Sequence, residues 1–119
     1  MEPRDALDEL MDLSSQVEAA VILDGGANVL ASTLPDERAA GFARAGSRLL
    51  EAAGRVRTGA ESGDVTQLGA ATATGSVFLV REGDRAVLAT TGAAPTAGLV
   101  LYDLRTCLRS LGEEITPET

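Results

Sequence analysis

The sequence predicts one α/β domain in which a five-stranded antiparallel sheet carries helices on both faces. Three observations predict it. Apolar residues recur at helical spacing in three segments, separated by five short runs with strand character. Asp24-Gly25-Gly26-Ala27 and Glu82-Gly83-Asp84 each join two such runs through a tight turn, so the strands form antiparallel units linked by a helix. At least two strands are apolar on both faces, and a sheet built from them must be covered on both sides. With 119 residues, 45% of them hydrophobic, the chain supports one core, and halving it would leave pieces too small to bury one. The predicted domain spans residues 1–112, followed by an acidic tail over 113–119.

The elements follow in order. Leu7, Leu10, Met11 and Ser14 define a short amphipathic helix over Ala6–Ser15. Val17–Leu23 reads as an interior strand, with Val17, Ala19, Val21 and Leu23 on one face and Ala20 and Ile22 on the other. The glycines of the following turn suit positive φ, and Asn28–Ser32 is the return strand. Thr33-Leu34-Pro35-Asp36 resembles a capping box at the start of a second helix that runs to about Arg55. Arg57–Gly63 reads as a polar loop. Three strands follow, Val65–Thr72, Ser76–Arg81 and Arg85–Thr91. The last helix begins at Thr96, buries Ala97, Val100, Leu101, Leu104, Cys107, Leu108 and Leu111, and is expected to end at Gly112.

Composition excludes several kinds of chemistry. The chain has no histidine and no lysine, which removes the usual general base, the commonest zinc ligand, Schiff-base chemistry and a phosphate-loop lysine. Its acids are spread in surface-like positions, and its one cysteine, Cys107, sits in an apolar helical pattern as a buried thiol. No metal, no cofactor and no catalytic residue are expected. A net charge of −8 opposes binding to nucleic-acid phosphates and to anionic membrane surfaces. No run approaches the roughly 20 apolar residues of a membrane span, so a cytoplasmic protein is expected. Arginine-only, alanine-rich usage points to a GC-rich bacterial genome.

Val21-Ile22-Leu23-Asp24-Gly25-Gly26, Ser76-Val77-Phe78-Leu79-Val80-Arg81 and Gly98-Leu99-Val100-Leu101-Tyr102-Asp103-Leu104-Arg105 resemble the roadblock/dynein light chain family. The likeness runs from about Ala6 to Leu111 and rests on element order, apolar strands and hairpin glycines. It implies a roadblock-type α/β sandwich that forms a homodimer. Bacterial members often regulate or scaffold a Ras-like small GTPase, and eukaryotic ones act as adaptors in motor and signalling complexes. Strand pairing rules alone leave the sheet orders 2-1-5-4-3 and 2-1-3-4-5 open. The family's order places the third strand at an edge, where protomers pair through it and the second helix.

Two elements bear on that interface. At about 100° per residue, Phe42, Ala45, Gly46, Leu49, Ala53 and Val56 form an arc expected to face the sheet. A neighbouring arc of Ala39, Ala43, Ser47, Leu50 and Gly54 is expected to form a second buried surface, since small residues admit another helix. Genome composition and helix propensity are the competing explanation for so many alanines. The strand Val65–Thr74 carries no charge and no proline, so as an edge it needs a partner or a cover. The expected dimer interface is therefore Ala39, Ala43, Ser47, Leu50 and Gly54 with Val65, Gln67, Gly69 and Ala71. Arg44, Arg48 and Arg55, on the polar back of the helix, are candidates for an acidic partner, and Leu99 and Tyr102 either pack on the first helix or form a second patch. The leading function is a non-catalytic dimeric regulator or scaffold for a Ras-like small GTPase. A small-molecule sensor is the alternative, weakened by the few aromatic residues available to line a pocket.

Overall fold

The computed structural model describes residues 2–56 and 67–114. The elements are α1 (Pro3–Leu13), β1 (Val17–Asp24), β2 (Val29–Ser32), α2 (Asp36–Val56), β3 (Gln67–Ala71), β4 (Ser76–Glu82), β5 (Arg85–Thr91) and α3 (Ala97–Glu114). The loop expected over Arg57–Gly63, the start of the third strand at Val65 and the last five tail residues lie outside the described residues. All strand pairs are antiparallel, in the order β2-β1-β5-β4-β3. The order implied by the family resemblance is the one observed, with β2 and β3 at the edges.

Alternation along the strands divides the core in two. Ala20, Ile22, Phe78, Val80, Val87 and Ala89 project to the face covered by α1 and α3, where they meet Leu7, Leu10, Val100, Leu104 and Leu111. Val21, Leu23, Leu79, Ala86 and Leu88 project to the other face, under α2. Burying a Leu or Ile side chain stabilises a fold by about 1.5–3 kcal/mol, so each layer rests on a handful of such residues.

Several local expectations change, beginning with the first helix, which runs over Pro3–Leu13 and leaves Ser14 outside it. Val17 belongs to the α1/α3 face and not with Val21 and Leu23, because the β1–β5 register shifts between Val17 and Ala19. The extra residue at the bulge, Glu18, is exposed, and the bulge reverses the alternation on either side of it. In the first turn the positive φ falls on Ala27, at 64°, and not on Gly25 or Gly26. Asp24 organises that turn: its Oδ1 accepts from the amides of Gly26 and Asn28 at 2.9 and 3.0 Å. The Thr33 hydroxyl serves the sheet, since Ala20 N donates to Thr33 Oγ1 and Thr33 N donates to Ala20 O, both at 3.0 Å. Finally, α3 continues through Gly112 to Glu114, because a glycine ends a helix only where it turns to positive φ, and otherwise merely weakens it.

Candidate protein-interaction surface

The face that α2 turns to the sheet is set by its smallest residues. Ala39, Ala43 and Leu50 are buried against Val21, Leu23, Leu79, Ala86 and Leu88. Gly46 lies between them, and a methyl group there would collide with Leu88 Cδ2 and come within 3.4 Å of Leu79 Cδ1. The expected division of α2 therefore holds only in part: Gly46 faces the sheet as expected and Phe42 packs at its margin, while other members of the two arcs change places. Ala39, Ala43 and Leu50, expected at a dimer interface, belong to this chain's own core. Ala45 and Leu49, expected under the sheet, are exposed, Leu49 by 37%. The physical reason is proximity: a helix seated close to a sheet places small side chains at the contact and displaces larger ones to its flank. Ser47 is half-buried beside a cleft that Glu51 and Arg85 also line, and Gly54 is half-buried with open space at its Cβ position.

Phe42 lies at the flank, half-buried beside Ala19, Leu34, Arg38 and Thr90. The α2 backbone lies nearest β1 and β2, and its buried side chains reach Leu79 of β4 and Ala86 and Leu88 of β5. On the same face of the sheet, at its other side, Val77 and Leu68 are half-buried and Ala70 is exposed. An apolar helix flank and an incompletely covered sheet margin therefore occur on one face. Residues paired across strands share a face, so the register places Leu68 and Ala70 on the α2 side, opposite Leu79 and Val77. Gln67, Gly69 and Ala71, the expected interface residues, are exposed at the β3 edge but project towards the α1/α3 side. Phe78 leans over Gly69, its ring carbons 3.2–3.3 Å from where a Cβ would sit.

The proposed partner residues divide between two surfaces. Arg44, Arg48 and Arg55 are all exposed on the outer side of α2. Leu99 and Tyr102 are exposed on α3, across the sheet, by 51% and 61%. The structure does not bring these two sets together. Neither Leu99 nor Tyr102 is buried against α1. Sequence periodicity missed Leu13, 62% exposed at the end of α1, and the half-open β2 edge at Val29 and Leu30. That edge is short, and Arg4 Nη1 donates to the Ser32 carbonyl there at 3.0 Å, which occupies one of its open acceptors.

Chemistry at these surfaces is limited. Among the described residues no group of three or more His, Cys, Asp or Glu side chains could hold a metal ion. The Cys107 thiol is buried, lies 3.6 Å from the Ala6 carbonyl, and is pushed up to about 12 by burial, with Glu9 adding to the effect. It is protonated and weakly nucleophilic at neutral pH. Asp24 is held below the usual carboxylate range, first by the Asn28 amide and then by the Asn28 side chain and the Gly26 amide. These bonds define a turn. The clefts beside α2 and beneath β3, of about 260–440 Å³, are open to solvent. No described helix is long and apolar enough to cross a membrane.

Similarity to known proteins follows the fold. The chain resembles a Roadblock/LC7 domain from Streptomyces avermitilis at 19% identity and a TM-score of 0.80, over 91% of this chain and 92% of that one. It is also similar to Myxococcus xanthus MglB, at 12% identity and a TM-score of 0.75 over 99% and 92% of the two chains. A third structure, described as MglB with tetrameric arrangement, gives 13% identity and a TM-score of 0.68 over 92% and 84%. At these identities the likeness shows the fold. No curated protein matches the sequence. The model of the Roadblock/LC7 domain matches residues 4–91, from α1 to the end of β5. The chain belongs to the Roadblock/LC7 domain family.

Proposed function

We propose that this protein is a non-catalytic cytoplasmic homodimer that binds and modulates a Ras-like small GTPase or its signalling complex. The observation that carries the reading is the β3 edge with its surroundings. Gln67–Ala71 is uncharged and almost wholly exposed, and such an edge is a template for pairing with another strand. Leu68 and Ala70, with Phe42, Ala45 and Leu49 of α2, supply apolar contact on one side of that edge. The dimer is thus built from the flank of α2 and not from Ala39, Ala43 and Leu50. Ser47 and Gly54 stay at its margin, and Gln67, Gly69 and Ala71 contribute through the edge backbone. The likeness to MglB, and the tetrameric arrangement named for one MglB structure, support self-association as the working state. Arg44, Arg48 and Arg55 are the residues proposed to meet an acidic GTPase surface, each offering guanidinium donors from exposed positions.

Sedimentation or light scattering tests the dimer. The wild type is expected at twice its 12.2 kDa chain mass, and Leu49→Arg at the single-chain mass. A wild type that stays monomeric at micromolar concentration removes the reading. Calorimetry with Ras-like GTPases encoded beside the gene, in both nucleotide states, tests the partner. Binding weakened by Arg44→Glu and Arg48→Glu is expected; no binding in either state rejects this partner class.

A further inference from the structure

We propose that the groove between α1 and α3 is a second docking site, which takes a basic amphipathic segment of a partner protein. Two contacts fix how the helices lie. Thr96 N, just before α3, donates to Gln16 Oε1, just after α1, at 2.7 Å, while Cys107 Sγ, late in α3, donates to the Ala6 carbonyl, early in α1. The helices therefore run antiparallel, and the end of α1 lies beside the start of α3.

Three large apolar side chains are exposed at that end. Leu13 follows Glu9 by four residues along the flank of α1 that carries Glu9 to the Ser110 hydroxyl of α3. Leu99 and Tyr102 are neighbours one turn apart on α3, and Leu99 precedes the half-buried Asp103 by four residues. Leu13 and Leu99 thus stand on the two banks of one groove. Isolated exposed apolar residues are ordinary on a protein surface, but Leu13 on one helix with Leu99 and Tyr102 on the other give this end of the helix pair an apolar surface.

The charge around the patch selects the occupant. Glu9, Asp12 and Asp103 border it, and α1 carries four acids against one arginine. α3 also carries two arginines, Arg105, half-buried, and Arg109, exposed, three and seven residues beyond Tyr102, so the acidic border is supplied mainly by α1. A symmetric contact with a second copy would set one acidic row against another, and the acidic residues at this chain's own C-terminal end, Glu113, Glu114 and Glu118, have the same sign. Anionic lipid is disfavoured on the same ground. A helix with apolar side chains along one stripe and Lys or Arg at its margins complements both the patch and its border. Leu99 and Tyr102 lie beyond the residues matched to the family model, and the groove is across the sheet from α2, so it stands whether or not the chain dimerises.

The test uses the full chain and a fluorescent Leu/Lys helical peptide of about five turns, with a Leu/Glu peptide of the same apolar pattern as control. Anisotropy is expected to show saturable binding of the Leu/Lys peptide, one per chain, and none of the control. Leu99→Ser with Tyr102→Ser is expected to weaken it by at least about tenfold. Glu9→Gln with Asp12→Asn is expected to weaken it about threefold and to flatten its salt dependence. Affinities within twofold of wild type in both variants would overturn the proposal, as would equal binding of the Leu/Glu peptide. A change in the solution mass of the unliganded chain in Leu99→Ser/Tyr102→Ser would also overturn it, by showing that a second copy covers the patch.

Discussion

A methyl group at Gly46 would have nowhere to go. Leu88 and Leu79, which it would meet, are themselves fully buried, so making room for it means repacking the core. Glycine inside a helix costs about 1 kcal/mol relative to alanine, and here that cost permits α2 to close on the sheet. Overpacking costs about 1–3 kcal/mol, so Gly46→Ala is expected to lose about 1–2 kcal/mol in urea unfolding despite its better helix propensity. Gly41 is the internal control. Nothing lies within 4 Å of its Cβ position, and Gly41→Ala is expected to gain about 0.5–1 kcal/mol. Equal effects at the two sites would refute the tight approach. Asp24 gives a second prediction, in pH. Its pKa is lowered in the folded chain, so its bonds to the turn stabilise the fold above the ordinary carboxylate value of 3.8. That stabilisation fades as pH falls below that value and through the lowered one. Asp24→Ala should therefore destabilise at pH 7, and the gap to wild type should narrow at about pH 2.5, both read by urea unfolding.

At the scale of elements, the strands were the most legible part of the sequence and α2 the least. Glycine turns and β-branched runs bound β4 and β5 closely, because turn chemistry is local. The Glu18 bulge left no such mark, and it moved Val17 to the other core. In α2 the helical spacing places Phe42, Ala45, Gly46 and Leu49 under the sheet, and of these only Gly46 is fully buried there. The true centre is Ala39, Ala43, Gly46 and Leu50, and only the distance to the sheet decides that. The α3 periodicity succeeds at its large core positions, Val100, Leu104, Cys107, Leu108 and Leu111, which are all buried, whereas Ala97, also expected there, is exposed and Leu101 is half-buried. This contrast yields a prediction within one helix. Leu104→Ala, which empties a fully buried site, should cost about 2–5 kcal/mol, whereas Leu99→Ala, at an exposed one, should stay within about 0.5 kcal/mol. Thermal unfolding of both variants checks it. A large loss at Leu99 would mean that the residue is covered in solution.

For the whole molecule, the sheet is the partition. Its β2-β1-β5-β4-β3 order sends β3 to an edge, and its two faces carry different charge. The outward side of α2 displays Arg44, Arg48 and Arg55, while α1 displays Asp5, Asp8, Glu9 and Asp12. A net charge of −8 is thus distributed unevenly, and the acidic α1/α3 layer attracts cations while the α2 layer offers guanidinium groups to anions. The proposed dimer uses the α2 flank and the β3 edge; the proposed groove lies on the opposite layer, with no residue in common. Changes at separated sites without shared partners add, so the two activities should be separable. Leu49→Arg is expected to give a monomer that binds the Leu/Lys peptide with an affinity within about twofold of wild type. Leu99→Ser/Tyr102→Ser is expected to lose the peptide and keep the dimer mass. A dimer-breaking change that also shifts peptide affinity tenfold would show that the sheet couples its two faces, since an energetic link of that size requires a shared element. The close seat of α2 at Gly46, against Leu79 and Leu88, would then be the place to look for it.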